Sequence, residues 1–419
     1  MDVMKIAVIG AGAAGVSTAY ELASDGHQVT VFEAHSAVAE SASFATGPLL
    51  SSSMMAPPMH APWPQGSRIS RWISPSHIQI QRNASLRDLR WLMRRKLWST
   101  EAFETILGVQ YELLRLSQAR LAKICHNEGF QMERGEGQIV LVDTEKQMLE
   151  LQPKLDWLKA HGTPWSALDA SSLASIEPAL QQSSPGGSAI YFPEDAYGNC
   201  RQFVQLQRDR AMEMGVHFEF GASLTGFSSA SGIEVHTSNH PQPARFDQVI
   251  LCTGAQTENV LGMLGLRYPL TQIQSYSLSA AIREPLNAPR NAVLDLTSGI
   301  GMVRMGSRVR VTGGAELGRG HNKLKPETVR ALYQTIQKHF PGGIHLQSGS
   351  QLWKGCSVFT GDGAPLIGPS GAERVWLNTA HGYLGWGMAC GSARLLADLI
   401  KAKTPAIDPA PYAPARLKV

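Results

Sequence analysis

The stretch Lys5-Ile6-Ala7-Val8-Ile9-Gly10-Ala11-Gly12-Ala13-Ala14-Gly15 opens the chain, and its reading decides the fold. After one lysine the first residues are uniformly apolar, the pattern of a strand buried on both faces. Gly10, Gly12 and Gly15 follow at GxGxxG spacing, and residues 16–25 place Val16, Ala19, Tyr20 and Ala23 at helical intervals. Gly26 stops that helix, residues 28–32 read as a second strand, and the strand ends on Glu33. Each part has a physical task. Gly10 permits the tight turn, Gly12 lets backbone approach a pyrophosphate, Gly15 lets helix and strand pack closely, and the helix N-terminus offers N–H groups to the anion. Glu33 would accept the ribose hydroxyls. The glycine spacing alone is weak, but strand, glycines, helix, second strand and acid in this order describe a dinucleotide-binding unit. A carboxylate at Glu33 would repel a 2′-phosphate, which disfavours NADP and leaves NAD and FAD open.

Size and composition set the frame around this unit. The 419 residues are 43% hydrophobic and 17% charged, enough for a large core divided into two or three lobes. A net charge of +4 gives no global signal for nucleic acid, and none is expected as a partner. Cys125, Cys200, Cys252, Cys356 and Cys390 are scattered without a CxxC spacing, so no metal site or disulfide framework is expected, and a reducing compartment is. Residues 6–15 lack a basic leader, and no window reaches the ~18 to 20 apolar residues of a membrane span, so the chain is expected on the cytoplasmic side.

Other stretches repeat the strand, loop, helix logic. Residues 375–378 form a strand, a glycine-rich loop follows, and residues 388–402 carry Leu395, Leu396, Leu399 and Ile400 on one helical face. Residues 246–251 are a strand ending in Cys252-Thr253-Gly254-Ala255, and residues 200–214 a helix stopped by Gly215 before a strand at 216–221. A second group of strands, at 137–142, 187–192, 275–282, 292–296, 301–305 and 308–313, has in several places the period-two alternation of a half-buried antiparallel sheet. The longest helical pattern, 100–128, ends at Gly129, and 171–180 is a short helix. The fold class is therefore α/β combined with α+β: a Rossmann-type domain built from discontinuous segments, and a second lobe based on a mainly antiparallel sheet.

Four stretches carry a family resemblance. They are Ala61-Pro62-Trp63 with Trp72; Tyr191-Phe192-Pro193-Glu194-Asp195 with Gly198; Gly361-Asp362-Gly363-Ala364-Pro365 with Ile367-Gly368; and the long run from Leu377 to Gly391. On these residues the chain resembles the D-amino-acid oxidase superfamily of flavoproteins over almost its whole length, most closely the bacterial D-amino-acid dehydrogenase small subunits. The resemblance implies FAD, held by Gly10, Gly12, Ala13, Ala14, Gly15, Glu33, Ala34, Ser41, Gly47, Thr253, Gly254, Gly382, Tyr383, Leu384, Gly385, Trp386 and Gly387. The helix after Gly385 would stabilise negative charge on the reduced ring. It also implies an FAD domain from residues 1–60, 192–260 and 355–405, a substrate domain from 61–191 and 261–354, and a tail at 406–419.

In such enzymes, as the resemblance implies, a hydride leaves the substrate Cα for the flavin and the imine then hydrolyses. The protein supplies orientation and a grip on the carboxylate, best made by an arginine fork. Relatives usually place that arginine in a Gly-Leu-Arg-Pro run; this chain reads Gly355-Cys356-Ser357-Val358, so Ser357 stands in its place. Arg304 is the expected substitute, with Tyr276, His381 and Tyr383 as hydrogen-bonding neighbours. The departure leaves the substrate open among a D-amino acid, a cyclic imino acid such as a hydroxyproline stereoisomer, an opine and a secondary amine.

The stretch 63–98 holds Arg68, Arg71, Arg82, Arg87, Arg90, Arg94, Arg95 and Lys96 among Trp63, Trp72, Trp91 and Trp98, with Asp88 as its one acid. Basic groups attract anionic headgroups and tryptophan favours the interface, so 61–98 is a candidate to touch the inner face of a membrane, with a solvated helix carrying packed aromatics or a subunit contact as the alternatives. Such contact suits a dehydrogenase passing electrons to a quinone, although oxygen stays open as acceptor. Two other classes remain: an NAD-dependent dehydrogenase, colourless as purified, and a non-catalytic flavoprotein subunit, to which the serine at 357 points.

Overall fold

Strand Lys5–Ile9, helix Ala13–Ser24 and strand Gln28–Glu33 form the expected unit at the centre of a six-stranded sheet. The computed structural model describes residues 3–51, 53, 78–96, 99–182, 188–228, 232–318, 323–346 and 349–417. Across this sheet the strands run Leu366–Pro369, Val375–Thr379, Gln248–Leu251, Lys5–Ile9, Gln28–Glu33 and His217–Phe220. All neighbours are parallel except Leu366–Pro369, which is antiparallel to Val375–Thr379. The alternation of the first strand divides the core. Ile6 and Val8 pack under the helices Ala13–Ser24, Cys200–Glu213 and Gly385–Ile400, whereas Ala7 and Ile9 face a three-stranded antiparallel sheet of Leu224–Ser228, Ile233–Thr237 and Ala244–Phe246.

Two devices hold the helical layer. The long helix Thr100–Glu128, capped by Ser99 and ended by Gly129 at φ +64°, crosses helix Gly385–Ile400 at two glycines. A Cβ on Gly387 would lie 2.9 Å from Leu114 Cδ2, and one on Gly391 would lie 2.8 Å from Ser117 N. The second device is electrostatic. Glu21, fully buried, accepts Arg120 through both oxygens at 2.5 and 2.8 Å and Arg394 Nη1 at 2.8 Å, while Arg394 also binds Asp25 and Asp398. Two guanidiniums on one buried carboxylate offset its desolvation; removing one partner from such a group costs about 3–5 kcal/mol.

The second lobe is a nine-stranded sheet in the order Gln351–Phe359, Thr271–Ala281, Arg308–Leu317, Ile300–Met305, Ala292–Asp295, Arg134–Val142, Ser188–Gly198 and Ser166–Leu168, with Ile78–Ile80 beside Arg308–Leu317. It is antiparallel apart from the pairs Ala292–Asp295 with Arg134–Val142 and Ile78–Ile80 with Arg308–Leu317. Leu278, Val309 and Val311 on one face pack under Leu332 and Ile336 of helix Pro326–His339. The other face turns toward the cofactor lobe.

The segment boundaries differ from expectation. Strand Ser188–Gly198 stays in the large sheet past 192, and the chain crosses lobes at Asn199, whose side chain caps helix Cys200–Glu213. Strand Gln351–Phe359 likewise runs past 355, and the cofactor sheet resumes at Leu366. One unbroken ladder carries each crossing, and an alternation pattern does not say which sheet a strand joins. Residues 406–417 of the C-terminal tail pack against the body: Tyr412 is fully buried and donates to Val109 O at 2.7 Å, and Arg416 grips Asp362. The C-terminal helix begins at Gly385, not 388, so Gly385 and Gly387 lie in its first turn. Of the basic stretch, residues 61–77, 97 and 98 lie outside the described residues, including Trp63, Trp72, Trp98, Arg68 and Arg71. The rest gives helix Leu86–Lys96, with Trp91 buried and Leu86 and Met93 75% and 43% exposed. Among the described residues no helix is long and apolar enough to cross a membrane.

Candidate active site

The glycine loop separates two kinds of demand. Gly10 sits at φ +102°, and a Cβ there would lie 2.6 Å from Cys252 O; a Cβ on Gly15 would lie 1.9 Å from Gly10 O. Both are dictated by the packing of the chain itself. Gly12 is different, since its Cβ would meet only Ser43 Oγ at 3.3 Å. It caps helix Ala13–Ser24 with no side-chain bond and no acid in the first turn, and Val16 N is the first amide to bond back, to Gly12 O at 3.0 Å. Ala13 N donates to Ser43 Oγ at 3.0 Å, while the amides of Ala14 and Gly15 precede the first intrahelical bond, a ready anion site.

Glu33 has a task besides the ribose hydroxyls. Its Oε2 accepts Ala11 N at 2.6 Å and its Oε1 accepts His35 N at 2.9 Å, so the carboxylate fixes the glycine loop and the turn containing Ala34. A carboxylate has lone pairs left for ribose hydroxyls after two such bonds. Nearby, Ser41 Oγ meets His35 Nε2 at 3.0 Å. Gly254, at φ +49°, has open space where a side chain would project, and Thr253 Oγ1 lies 3.1 Å from Thr257 Oγ1.

At the other end, Gly382 is held at φ +60°, and a Cβ there would lie 2.5 Å from the Phe359 ring. The turn Gly382–Leu384 leads into helix Gly385–Ile400, whose start has no side-chain cap and no acid in its first turn. Gly385 has φ −56°, so its glycine is not needed for the backbone. Gly387 answers to helix packing. Trp386 is buried, donates Nε1 to Gly198 O at 3.2 Å and packs on Phe203, which leaves its backbone as the part available to a cofactor.

Between loop and sheet lies a cavity. Thr46 and Gly47 border it from the cofactor lobe, Ser275, Thr312, Gly355 and Ser357 from the sheet, and Tyr383 from the C-terminal turn. The register brings these together: Ser357 pairs with Ile273, Gly355 with Ser275, and both Trp353 and Thr312 with Ser277, so alternate residues share the inner face. A Cβ on Gly355 would strike the Trp353 indole, which lies over it and forms part of the wall. No arginine or lysine borders the cavity among the described residues.

The four expected catalytic residues divide. Tyr383 lines the cavity, its ring edge-on to Phe359 at 5.0 Å. His381 bridges to Phe359, and its Nε2 is out of solvent with no hydrogen-bond partner among the described residues; burial pushes its pKa down to about 4, so the ring is neutral. The structure does not bring Arg304 to the cavity. Paired with Val309, it lies on the helix-covered face and donates Nε to Gly306 O at 3.3 Å. Tyr276 borders the cavity, but its hydroxyl donates to Glu316 Oε1 at 2.6 Å and accepts Lys325 N, within a buried cluster that includes Lys354; burial and Glu316 push its pKa up. Alternation is the reason in both cases, since one step along a strand reverses the face.

Arg310, missed in the sequence analysis, is on the inner face, two residues from Thr312. It is 8% exposed and donates to Ser279 Oγ at 3.4 Å and Thr46 O at 3.5 Å, with no carboxylate partner among the described residues. Burial pushes its pKa down. The alternation of 308–313 contained this signal: Arg310 and Thr312 share a parity that Arg304 does not share with Gly301.

These features fit a flavin dinucleotide: two uncapped helix starts, an acid at the ribose end, a tyrosine lining the inter-lobe cavity, and a ring nitrogen out of solvent two residues before it. Residues 5–399 match the profile of DAO, FAD dependent oxidoreductase. Among curated relatives, D-amino acid dehydrogenase from Rhizorhabdus wittichii is 31% identical over 413 residues, covering 97% of this chain and 98% of the relative. D-amino acid dehydrogenase from Rhizobium rhizogenes is 31% identical over 422 residues, covering 99% and 100%. Glycine oxidase from Geobacillus kaustophilus has the same fold, with a TM-score of 0.76 at 18% identity over 99% of each chain. L-proline dehydrogenase from P. horikoshii gives 0.73 at 18% identity over 99% and 98%. The chain belongs to the DAO family of FAD-dependent oxidoreductases.

Proposed function

We propose that the chain is a dehydrogenase that oxidises the Cα–N bond of a D-amino acid or related imino acid to the imine and passes the electrons to a quinone at a membrane surface. The observation that carries the reading is the cavity itself, which meets Tyr383, in the turn that leads into helix Gly385–Ile400, on one side and a wall of hydroxyls and indole on the other. When bound, FAD supplies the hydride acceptor. The chain supplies orientation and exclusion of water. Tyr383 and the hydroxyls of Ser275, Thr312 and Ser357 are placed to bind polar groups of a substrate, and the Trp353 indole closes its apolar side. His381, whose Nε2 is out of solvent and whose pKa is pushed down to about 4, offers a donor or acceptor without adding a charge.

The absence of any lining arginine among the described residues favours a second reading, a cyclic imino acid or secondary amine, whose binding leans less on a carboxylate fork. Anaerobic bleaching of the purified flavoprotein by a panel of D-amino acids, cyclic imino acids and amines tests both. Bleaching by D-amino acids supports the first, bleaching confined to cyclic or secondary amines the second, and a flavin that no member reduces defeats both. Membrane contact is supported by Leu86 and Met93 standing exposed beside Arg90 and Arg94 on helix Leu86–Lys96. The protein should sediment with anionic liposomes at low salt, and complete retention in the supernatant would refute that contact.

A further inference from the structure

A packed aromatic series runs from the cavity to the surface helix. Tyr383 borders the cavity and meets Phe359 edge-on at 5.0 Å; Phe359 meets Trp91 at 5.6 Å and an interplanar angle of 62°. These rings belong to one dry cluster with Ile273, Ala315 and Leu317. Trp91 is 5% exposed and its Nε1 donates to Thr360 O at 2.7 Å, so helix Leu86–Lys96 is pinned to the strand end carrying Phe359.

On the outer side of that helix lies a groove lined by Arg90, Met93, Arg94, Pro269, Asp362 and Leu417. Asp362 is neutralised by Arg416, through 2.7 and 3.1 Å bonds. Arg90 and Arg94 have no carboxylate partner among the described residues, so the groove combines apolar walls with two open guanidiniums. Leu86, Arg90, Met93 and Arg94 share one exposed helical face. A flat apolar ring bearing carbonyl oxygens matches this chemistry: Met93, Pro269 and Leu417 would cover the ring, and the arginines would donate to its oxygens.

We propose that this groove is the docking site of a quinone acceptor, and that electrons leave the cofactor cavity along Tyr383, Phe359 and Trp91. This rests on the dehydrogenase reading above. In each turnover the reduced cofactor gives up two electrons and one proton; the quinone takes both electrons and two protons, the second from solvent, and becomes a quinol. Between the cavity and helix Leu86–Lys96, which carries Arg90, Met93 and Arg94 of the groove, the rings of Tyr383, Phe359 and Trp91 pack in one apolar cluster.

The test uses holoenzyme reduced anaerobically with dithionite, which needs no substrate, followed by stopped-flow mixing with a water-soluble benzoquinone or with oxygen. Met93→Glu, and the double variant Arg90→Ala with Arg94→Ala, change exposed side chains. Each should slow reoxidation by the quinone at least tenfold and weaken quinone binding measured by calorimetry, with the oxygen rate changed less than twofold. Trp91→Leu should slow transfer at saturating quinone while leaving quinone affinity unchanged. Wild-type quinone rates in both groove variants would overturn the proposal, as would equal losses with quinone and oxygen. If no amine substrate bleaches the flavin but the groove variants still lose quinone reactivity, the substrate reading fails and the docking site stands.

Discussion

Gly12 and Gly15 offer a direct test of how the first loop works, because the structure gives them opposite reasons for being glycine. A Cβ at Gly15 would lie 1.9 Å from Gly10 O, a backbone atom that can move only with the strand, so Gly15→Ala overpacks the fold itself at a cost of about 1–3 kcal/mol or more. A Cβ at Gly12 would meet only Ser43 Oγ at 3.3 Å, a contact relieved by a small shift of that side chain. It would instead stand where a diphosphate must approach the helix amides. Losing one charge-assisted bond costs about 1.5–3 kcal/mol, roughly 10- to 100-fold in affinity. Gly12→Ala should therefore leave the melting temperature of cofactor-free protein close to wild type and raise the FAD dissociation constant by that factor. Gly15→Ala should lower the melting temperature by several degrees even without FAD. The two effects are linked in the holoprotein. FAD at 100 times its dissociation constant stabilises wild type by about 2.7 kcal/mol, and a thirtyfold weaker site leaves less than about 1 kcal/mol at the same concentration. Thermal unfolding of deflavinated protein and fluorescence titration with FAD measure both. The reasoning is refuted if Gly12→Ala binds FAD as tightly as wild type, or unfolds the cofactor-free protein as readily as Gly15→Ala.

The face assignment makes a second claim. Arg310 does not border the cavity but donates to Thr46 O, which does, so Arg310→Met should release that wall and raise KM by about tenfold, ~1.4 kcal/mol, whereas Arg304→Ala leaves it unchanged; the reverse ranking would show that the inner and outer faces are wrongly assigned. His381 gives a pH signature. Its folded pKa, about 4, lies below the ordinary histidine value, so between about pH 4 and 6.5 the unfolded chain binds the extra proton and stability rises with pH. His381→Asn should flatten that part of a stability profile followed by urea unfolding, and an unchanged slope would mean that His381 is not the buried neutral group.

The sequence was most legible where a local pattern has one structural solution. Residues 5–33 carried strand, turn, helix and acid within a single window, and the long helix between Ser99 and Gly129 followed from apolar periodicity and a glycine stop. The C-terminal loop was visible for the same reason, although its helix begins early enough to place Gly387 in helix packing. Catalytic candidates fared less well. Arg304 has the right chemistry and lies on a strand that lines the site in relatives, yet its parity turns it to the helix-covered face. Tyr276 occupies the right strand, but Glu316, forty residues away, takes its hydroxyl. Neither outcome is contained in a short window.

The local sequence by itself determined the nucleotide-binding unit, because Gly10, Gly15 and the alternating Ile6 to Ile9 answer to neighbours a few residues away or to a single adjoining strand. The cavity belongs to the tertiary structure. Its walls come from residues near 46, 275, 312, 355 and 383, and which side chains enter it depends on register across three strands, where a shift of one residue exchanges Arg304 for Arg310 in kind. The groove and the ring series from Tyr383 to Trp91 have the same origin, since they join stretches nearly 300 residues apart that only packing brings into contact.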